Sequence, residues 1–136
     1  MIHNVVENIY TLYIENEQIH STGIHRFYIK RNNEFKWIAA EQLTTQDQVL
    51  FGEGSWHIIQ RIEINMESTI VYNFEVSNTH NYYVGINQVL VHNKSRRSSG
   101  SCFVAGTAIA LENNQYKNIE DIKIGDIVLS YDLYNK

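Results

Sequence analysis

Ile70-Val71-Tyr72-Asn73-Phe74-Glu75-Val76-Ser77-Asn78-Thr79-His80-Asn81-Tyr82-Tyr83-Val84-Gly85-Ile86-Asn87-Gln88-Val89-Leu90-Val91-His92-Asn93 reads as short strands broken by turns. Its apolar residues are β-branched or aromatic, and its breaks are Asn, Ser and Gly. The same grammar holds outward in both directions. Ile9 to Ile14, Arg26 to Lys30, Gln48 to Phe51, Trp56 to Ile64, Thr107 to Leu111 and Asp126 to Tyr131 all have strand character. Arg31-Asn32-Asn33 and Glu112-Asn113-Asn114 are hairpin turns. Only Ile38 to Leu43 and Ile119 to Ile122 favour a helical turn, and the chain has no Pro. The expected fold class is all-β, built of many hairpins.

One segment recurs. Asn32-Asn33-Glu34-Phe35-Lys36 leads into Ala40 to Leu50, and Asn113-Asn114-Gln115-Tyr116-Lys117 leads into Ile119 to Leu129. With a two-residue slip, each runs from a turn through an aromatic and a short helical turn to an acidic residue and a Val-Leu strand. Two copies predict a pseudo-two-fold β domain; a solenoid needs at least three.

The 136 residues suit one domain with a modest core. A net charge of −4 gives no reason to expect nucleic acid or membrane as a partner. Met1 to Glu15 lacks the basic start and apolar stretch of a signal peptide, and no apolar run approaches the roughly 18 residues of a membrane helix. Localisation is open. One Cys excludes an internal disulfide, and His3, His20, His25, His57, His80 and His92 show no tight ligand spacing, so neither metal nor cofactor is expected. Ser95 to Ser101 breaks the pattern: small, polar and basic, it reads as a surface linker.

Two reactive features flank that linker. The Asn93 side-chain nitrogen can attack its own backbone carbonyl and cut the Asn93–Lys94 bond, given geometry and an acid–base partner. His92 is adjacent, and His80 is a second candidate. On the other side, Cys102 can attack the Ser101 carbonyl in an N-to-S acyl shift. That step is uphill and needs a proton for the departing nitrogen and a stabilised oxyanion. Thr22-Gly23-Ile24-His25 offers a hydroxyl and an imidazole three residues apart. Taken singly, each has a plainer explanation: a turn for His92-Asn93, a small apolar filler for Cys102, and a local hydrogen bond for Thr22 and His25.

Taken together, these segments resemble the Hint superfamily, which includes inteins, bacterial intein-like domains and hedgehog autoprocessing domains. Cys102-Phe103-Val104-Ala105-Gly106-Thr107 is similar to that family's first splicing block, Ile119 to Leu129 to the segment after it, and Thr22 to His25 to the next. Val71 to Gly85 and Val89 to Asn93 resemble the C-terminal blocks. The likeness is to the bacterial intein-like type that starts CFVAGT and ends LVHN, and it covers everything except the linker. It implies a horseshoe-like β domain, a bacterial parent, and a catalytic set of Cys102, Thr22, His25, His80, His92 and Asn93.

The order is inverted: the family begins with the Cys and ends with His-Asn. Residues 1–93 thus correspond to the C-terminal part of such a domain, 102–136 to its N-terminal part, and 94–101 to a linker joining the native ends. The expectation is one circularly permuted domain, opened between Lys136 and Met1. Ser98-Ser99-Gly100-Ser101 has the composition of a designed joint. Both scissile bonds bound the segment Lys94–Ser101, at most about 28 Å long, which is the expected substrate and partner. Monomer and domain-swapped dimer both remain open.

The pattern departs from full splicing at Lys94, which, unlike Cys, Ser or Thr, has no side-chain nucleophile for transesterification; Ser95 is one residue too late. Thr79 also stands where many inteins carry Asp or Cys. Cleavage is therefore expected to dominate ligation, in a single-turnover reaction. Two alternatives stand: a non-catalytic β scaffold or binding module, and a Cys-His hydrolase acting in trans through Cys102.

Overall fold

The computed structural model describes residues 2–72, 81–92, 103–123 and 125–130. Twelve strands are present among them: β1 (Ile2–Ile14), β2 (Glu17–Thr22), β3 (Arg26–Arg31), β4 (Glu34–Ala39), β5 (Gln48–Leu50), β6 (Trp56–Ile58), β7 (Arg61–Tyr72), β8 (Asn81–Val84), β9 (Val89–His92), β10 (Phe103–Val104), β11 (Ala108–Ala110) and β12 (Tyr116–Asn118). The helical content of these residues is two 3-10 turns, Ala40–Gln42 and Ile119–Asp121. They fall inside the two segments whose sequence favours a helical turn.

The strands form two layers. β1, β2, β10 and β7 close into a small barrel. The other strands form a sheet in the order β12-β11-β8-β9-β3-β5-β6, with β4 paired to β3. The main core lies between them and includes Leu12, Phe27, Ile29, Val49, Tyr82, Val91, Phe103 and Ile109, all essentially inaccessible. On the sheet's other face a smaller cluster joins Leu50, Tyr83, Leu90 and Ala110 with the half-buried Tyr28, Trp37 and Trp56.

The last strands of the chain are inserted among earlier ones. β10 lies between β2 and β7 in the barrel: Phe103 is opposite both Ser21 and Tyr72, and Val104 is opposite Val71. β11 likewise pairs with β8 through Ile109 and Val84. The residues after the linker thus complete both layers laid down by those before it.

The internal repeat is a repeat of structure. His25 N–H donates to Thr22 O, and Thr107 N–H to Val104 O. Ala40 N–H donates to His25 O, and Ile119 N–H to Thr107 O. Each 3-10 turn then leads to an aspartate that accepts a backbone N–H three residues before it: Thr44 N–H to Asp47 and Lys123 N–H to Asp126, both 2.9 Å. The equivalence is less uniform than the sequence alignment implies. Arg26 pairs with Ala39 but Ala108 with Asn118, so the second hairpin is three residues shorter. The cation on each aspartate consequently differs in origin: Arg31 ends β3, whereas Lys117 lies on β12.

Asp47 is wholly inaccessible and receives Arg31 through Nε at 2.6 Å and Nη2 at 2.8 Å. Burial pushes its carboxyl upward, but the hydrogen bonds from Arg31 and the Thr44 amide outweigh that and hold it below the usual carboxylate range. Removing it leaves these donors without their acceptor. Asp47→Ala should cost about 2–3 kcal/mol in denaturant unfolding. A depressed folded pKa contributes stability that is fully present above the unfolded value, near 3.9. That contribution disappears as pH falls through the folded value, so the gap between wild type and Asp47→Asn should narrow in unfolding curves below about pH 4.

Candidate functional site

Thr22 ends β2, and His25 immediately precedes β3. Between them the chain turns tightly under the first 3-10 turn: Gly23 O accepts the Glu41 amide at 2.8 Å. A Cβ on Gly23 would lie 2.9 Å from both Glu41 Oε1 and the Tyr10 ring, so a larger residue there would have to displace these side chains. Thr22 and His25 are 0% and 1% exposed, although each is polar.

The His25 ring sits in an aromatic box. Phe103 lies against it, with centroids 4.1 Å apart and planes tilted by 59°. Phe27 and Tyr82 present edges at 6.1 and 6.2 Å. Phe103 is the residue next to Cys102, so the start of the second segment touches the histidine of the first.

His92 ends β9, opposite Arg26 on β3 and Asn81 on β8. Its ring meets the edge of Trp37 at 4.9 Å. The turn before β9 is clamped from the barrel: one Glu17 carboxylate accepts Ile86 N–H at 2.6 Å, Asn87 N–H at 3.2 Å and Asn87 Nδ2 at 2.9 Å. Gly85 opens that turn at φ +80°, and a Cβ there would fall 2.4 Å from the same carboxylate. Glu17 is a feature that sequence reading missed; its only signal was an acid at a hairpin end.

Of the expected site residues, Thr22, His25 and His92 are described and lie around the β2–β3 junction. His80, Asn93, Lys94, Ser101 and Cys102 lie outside the described residues. The strands beside them are described, and their registers are informative. β8 starts at Asn81 opposite His92, so the chain enters β8 on the side where β9 ends. β9 ends at His92 opposite Arg26, running toward the His25 end of β3. β10 starts at Phe103 opposite Ser21, so it is entered from the Thr22 side. No group of three or more His, Cys, Asp or Glu side chains able to hold a metal occurs among the described residues.

Comparison with known proteins agrees with this architecture. The family model described as Pretoxin HINT domain matches residues 3–94. Among solved structures, the bacterial intein-like domain from Clostridium thermocellum is similar at 30% identity and a TM-score of 0.61, covering 68% of this chain and 66% of that one. The transcription factor IIB Mvu mini-intein shares the fold at 23% identity and a TM-score of 0.59, over 68% of this chain and 60% of its own. The chain thus spans less than two thirds of each of these structures. No curated protein gave a significant match. An all-β barrel-and-sheet fold with an internal two-fold and a family match over residues 3–94 leave one assignment: the chain belongs to the pretoxin HINT domain family.

Proposed function

We propose that this protein is a circularly permuted, self-cleaving Hint domain that cuts its own chain at Asn93–Lys94 and Ser101–Cys102. Hint and intein-like domains are linked generally to autoprocessing. The observation that carries the specific reading is the convergence of three registers: β8 begins, β9 ends and β10 begins around the Thr22–His25 turn. The four expected catalytic residues that adjoin those strand ends are His80, Asn93 and Cys102, with His92 itself on β9. The permutation is supported by the family match, which stops at residue 94, and by the insertion of β10 and β11 into layers built from the first segment.

At the first bond, Cys102 Sγ attacks the Ser101 carbonyl carbon. The thiol gives its proton to His25 as the bond to the Cys102 nitrogen breaks, and His25 passes that proton to the nitrogen, leaving a thioester and a free amine. The Thr22 hydroxyl steadies the developing oxyanion. Water then releases Ser101 as a carboxylate. At the second bond, Asn93 Nδ2 attacks the Asn93 carbonyl carbon, which His92 polarises. Nδ2 gives up one proton to His80, which delivers a proton to the departing Lys94 nitrogen, and Asn93 becomes a succinimide. The burial of His25 favours this over hydrolysis in trans: its ring is 1% exposed, which suits a substrate delivered by the chain itself.

Intact-mass spectrometry against time, with and without an added thiol, tests the proposal. Thiol should accelerate release at Ser101–Cys102 by intercepting the thioester and leave the Asn93–Lys94 rate unchanged. A chain that stays intact under both conditions, or cuts elsewhere, would overturn it.

A further inference from the structure

Each of the two histidines described at this site is braced by an aromatic ring from a different strand. His25 has Phe103 at 4.1 Å. His92 has Trp37 at 4.9 Å, edge-on at 66°. The second brace is not explained by strand pairing. Trp37 lies on β4, whose partner is β3, and His92 lies on β9, on the other side of β3. The indole therefore reaches over β3 to touch the imidazole. It is held there by Tyr28, its cross-strand partner, with ring centroids 4.8 Å apart. Tyr28 in turn lies against Trp56, and Trp56 stacks on Phe35 at 5.3 Å and 5°. A four-ring aromatic strip on the sheet's outer face ends at His92.

We infer that Trp37 is a positioning residue for the cut after Asn93, fixing the rotamer of His92; this rests on the self-cleavage reading above. His92 is half-buried at the end of β9, and its two side-chain torsions depend on what packs against the ring. A ring edge backed by a second packed ring restricts them without itself titrating. The geometry has a directional consequence. Trp37 touches the histidine next to Asn93, whereas the histidine beside Phe103 has its own brace. Loss of Trp37 should therefore slow one cut and spare the other.

The test compares both cuts in the same molecules. In Trp37→Leu, the Asn93–Lys94 cut should slow about ten- to a hundredfold, the scale expected when a reacting group is misplaced by an ångström or less. The thiol-induced Ser101–Cys102 cut should stay within about threefold, since its braces are intact. Trp37→Phe should restore most of the lost rate. A second measurement uses the uncut Asn93→Ala, Cys102→Ala chain. There, the His92 ring signals in nuclear magnetic resonance should lose the ring-current shift of the indole and broaden in Trp37→Leu, while Trp37→Phe keeps them sharp. Equal slowing of both cuts would assign Trp37 to general stability and overturn the inference, as would unchanged His92 signals. If the unmodified chain never cuts after Asn93, the self-cleavage reading fails and the positioning role with it. The ring signals then show separately whether the brace exists.

Discussion

Asn93→Ala should slow the proposed cut at residue 93 at least about a thousandfold, yet leave the thiol-induced cut at Ser101–Cys102 intact. The expected products in thiol are residues 1–101 and 102–136, with no free linker peptide. Cys102→Ala gives the converse, residues 1–93 and 94–136. The separation is expected because the bonds are attacked by different atoms, a side-chain amide nitrogen and a thiolate, and each attack is intramolecular. The chain has one Cys, so no second thiol can substitute. Fragment masses in the two variants decide the matter. If either substitution stops both cuts, the reactions are coupled and the independent scheme is wrong.

Lys94→Cys should change the outcome from cleavage to cyclisation. Lys94 offers no side-chain nucleophile to the Ser101 thioester, so water competes freely. With Cys at that position, its thiol attacks the thioester and displaces the Cys102 sulfur. The segment 94–101 is then closed through sulfur while still joined to Asn93. Asn93 cyclisation frees the α-amine, which takes over the acyl group from sulfur and closes an amide ring. The released peptide should be one water lighter than the linear one and resist amino-peptidase. Cysteine reacts with thioesters far faster than water at neutral pH, and the linker of about 28 Å is long enough to loop within one site. Peptide mass spectrometry reads the ratio of cyclic to linear product; a wholly linear product from the substituted chain would refute the assignment of Lys94 as the block.

Legibility differed by element for physical reasons. Asn81 to Val84 was plain as a strand because all four residues are buried, which selects apolar and aromatic types. Glu17 to Thr22 was overlooked because its composition is polar, although Ser21 and Thr22 are buried there. Trp56 to Ile64 looked like one strand, whereas the chain turns a corner at Ile59 and Gln60, passing from sheet to barrel. Their amides donate to Asp47 O and Tyr13 O, which no periodicity encodes. Ile64 and Ile70 looked like parts of separate strands because Asn65 to Thr69 is largely polar. They belong to one strand whose middle pairs with β1 and is otherwise largely solvent-facing. Thr22, His25 and His92 were expected from the family resemblance, and the registers bring them to one end of β3. The contacts of Trp37 and Glu17 were not legible, because they reach across strands distant in sequence.

The double pairing of β10 has a consequence for the products. After both cuts, nothing covalent would join residues 1–93 to 102–136, yet the second piece still supplies the stave between β2 and β7. Folding would pass from a unimolecular event to a bimolecular association governed by mass action. A monomeric intact chain would melt at a temperature independent of its concentration, whereas its processed form would melt lower on dilution. The protein would thus convert itself from one covalent chain into a two-piece complex, with dilution acting as a denaturant.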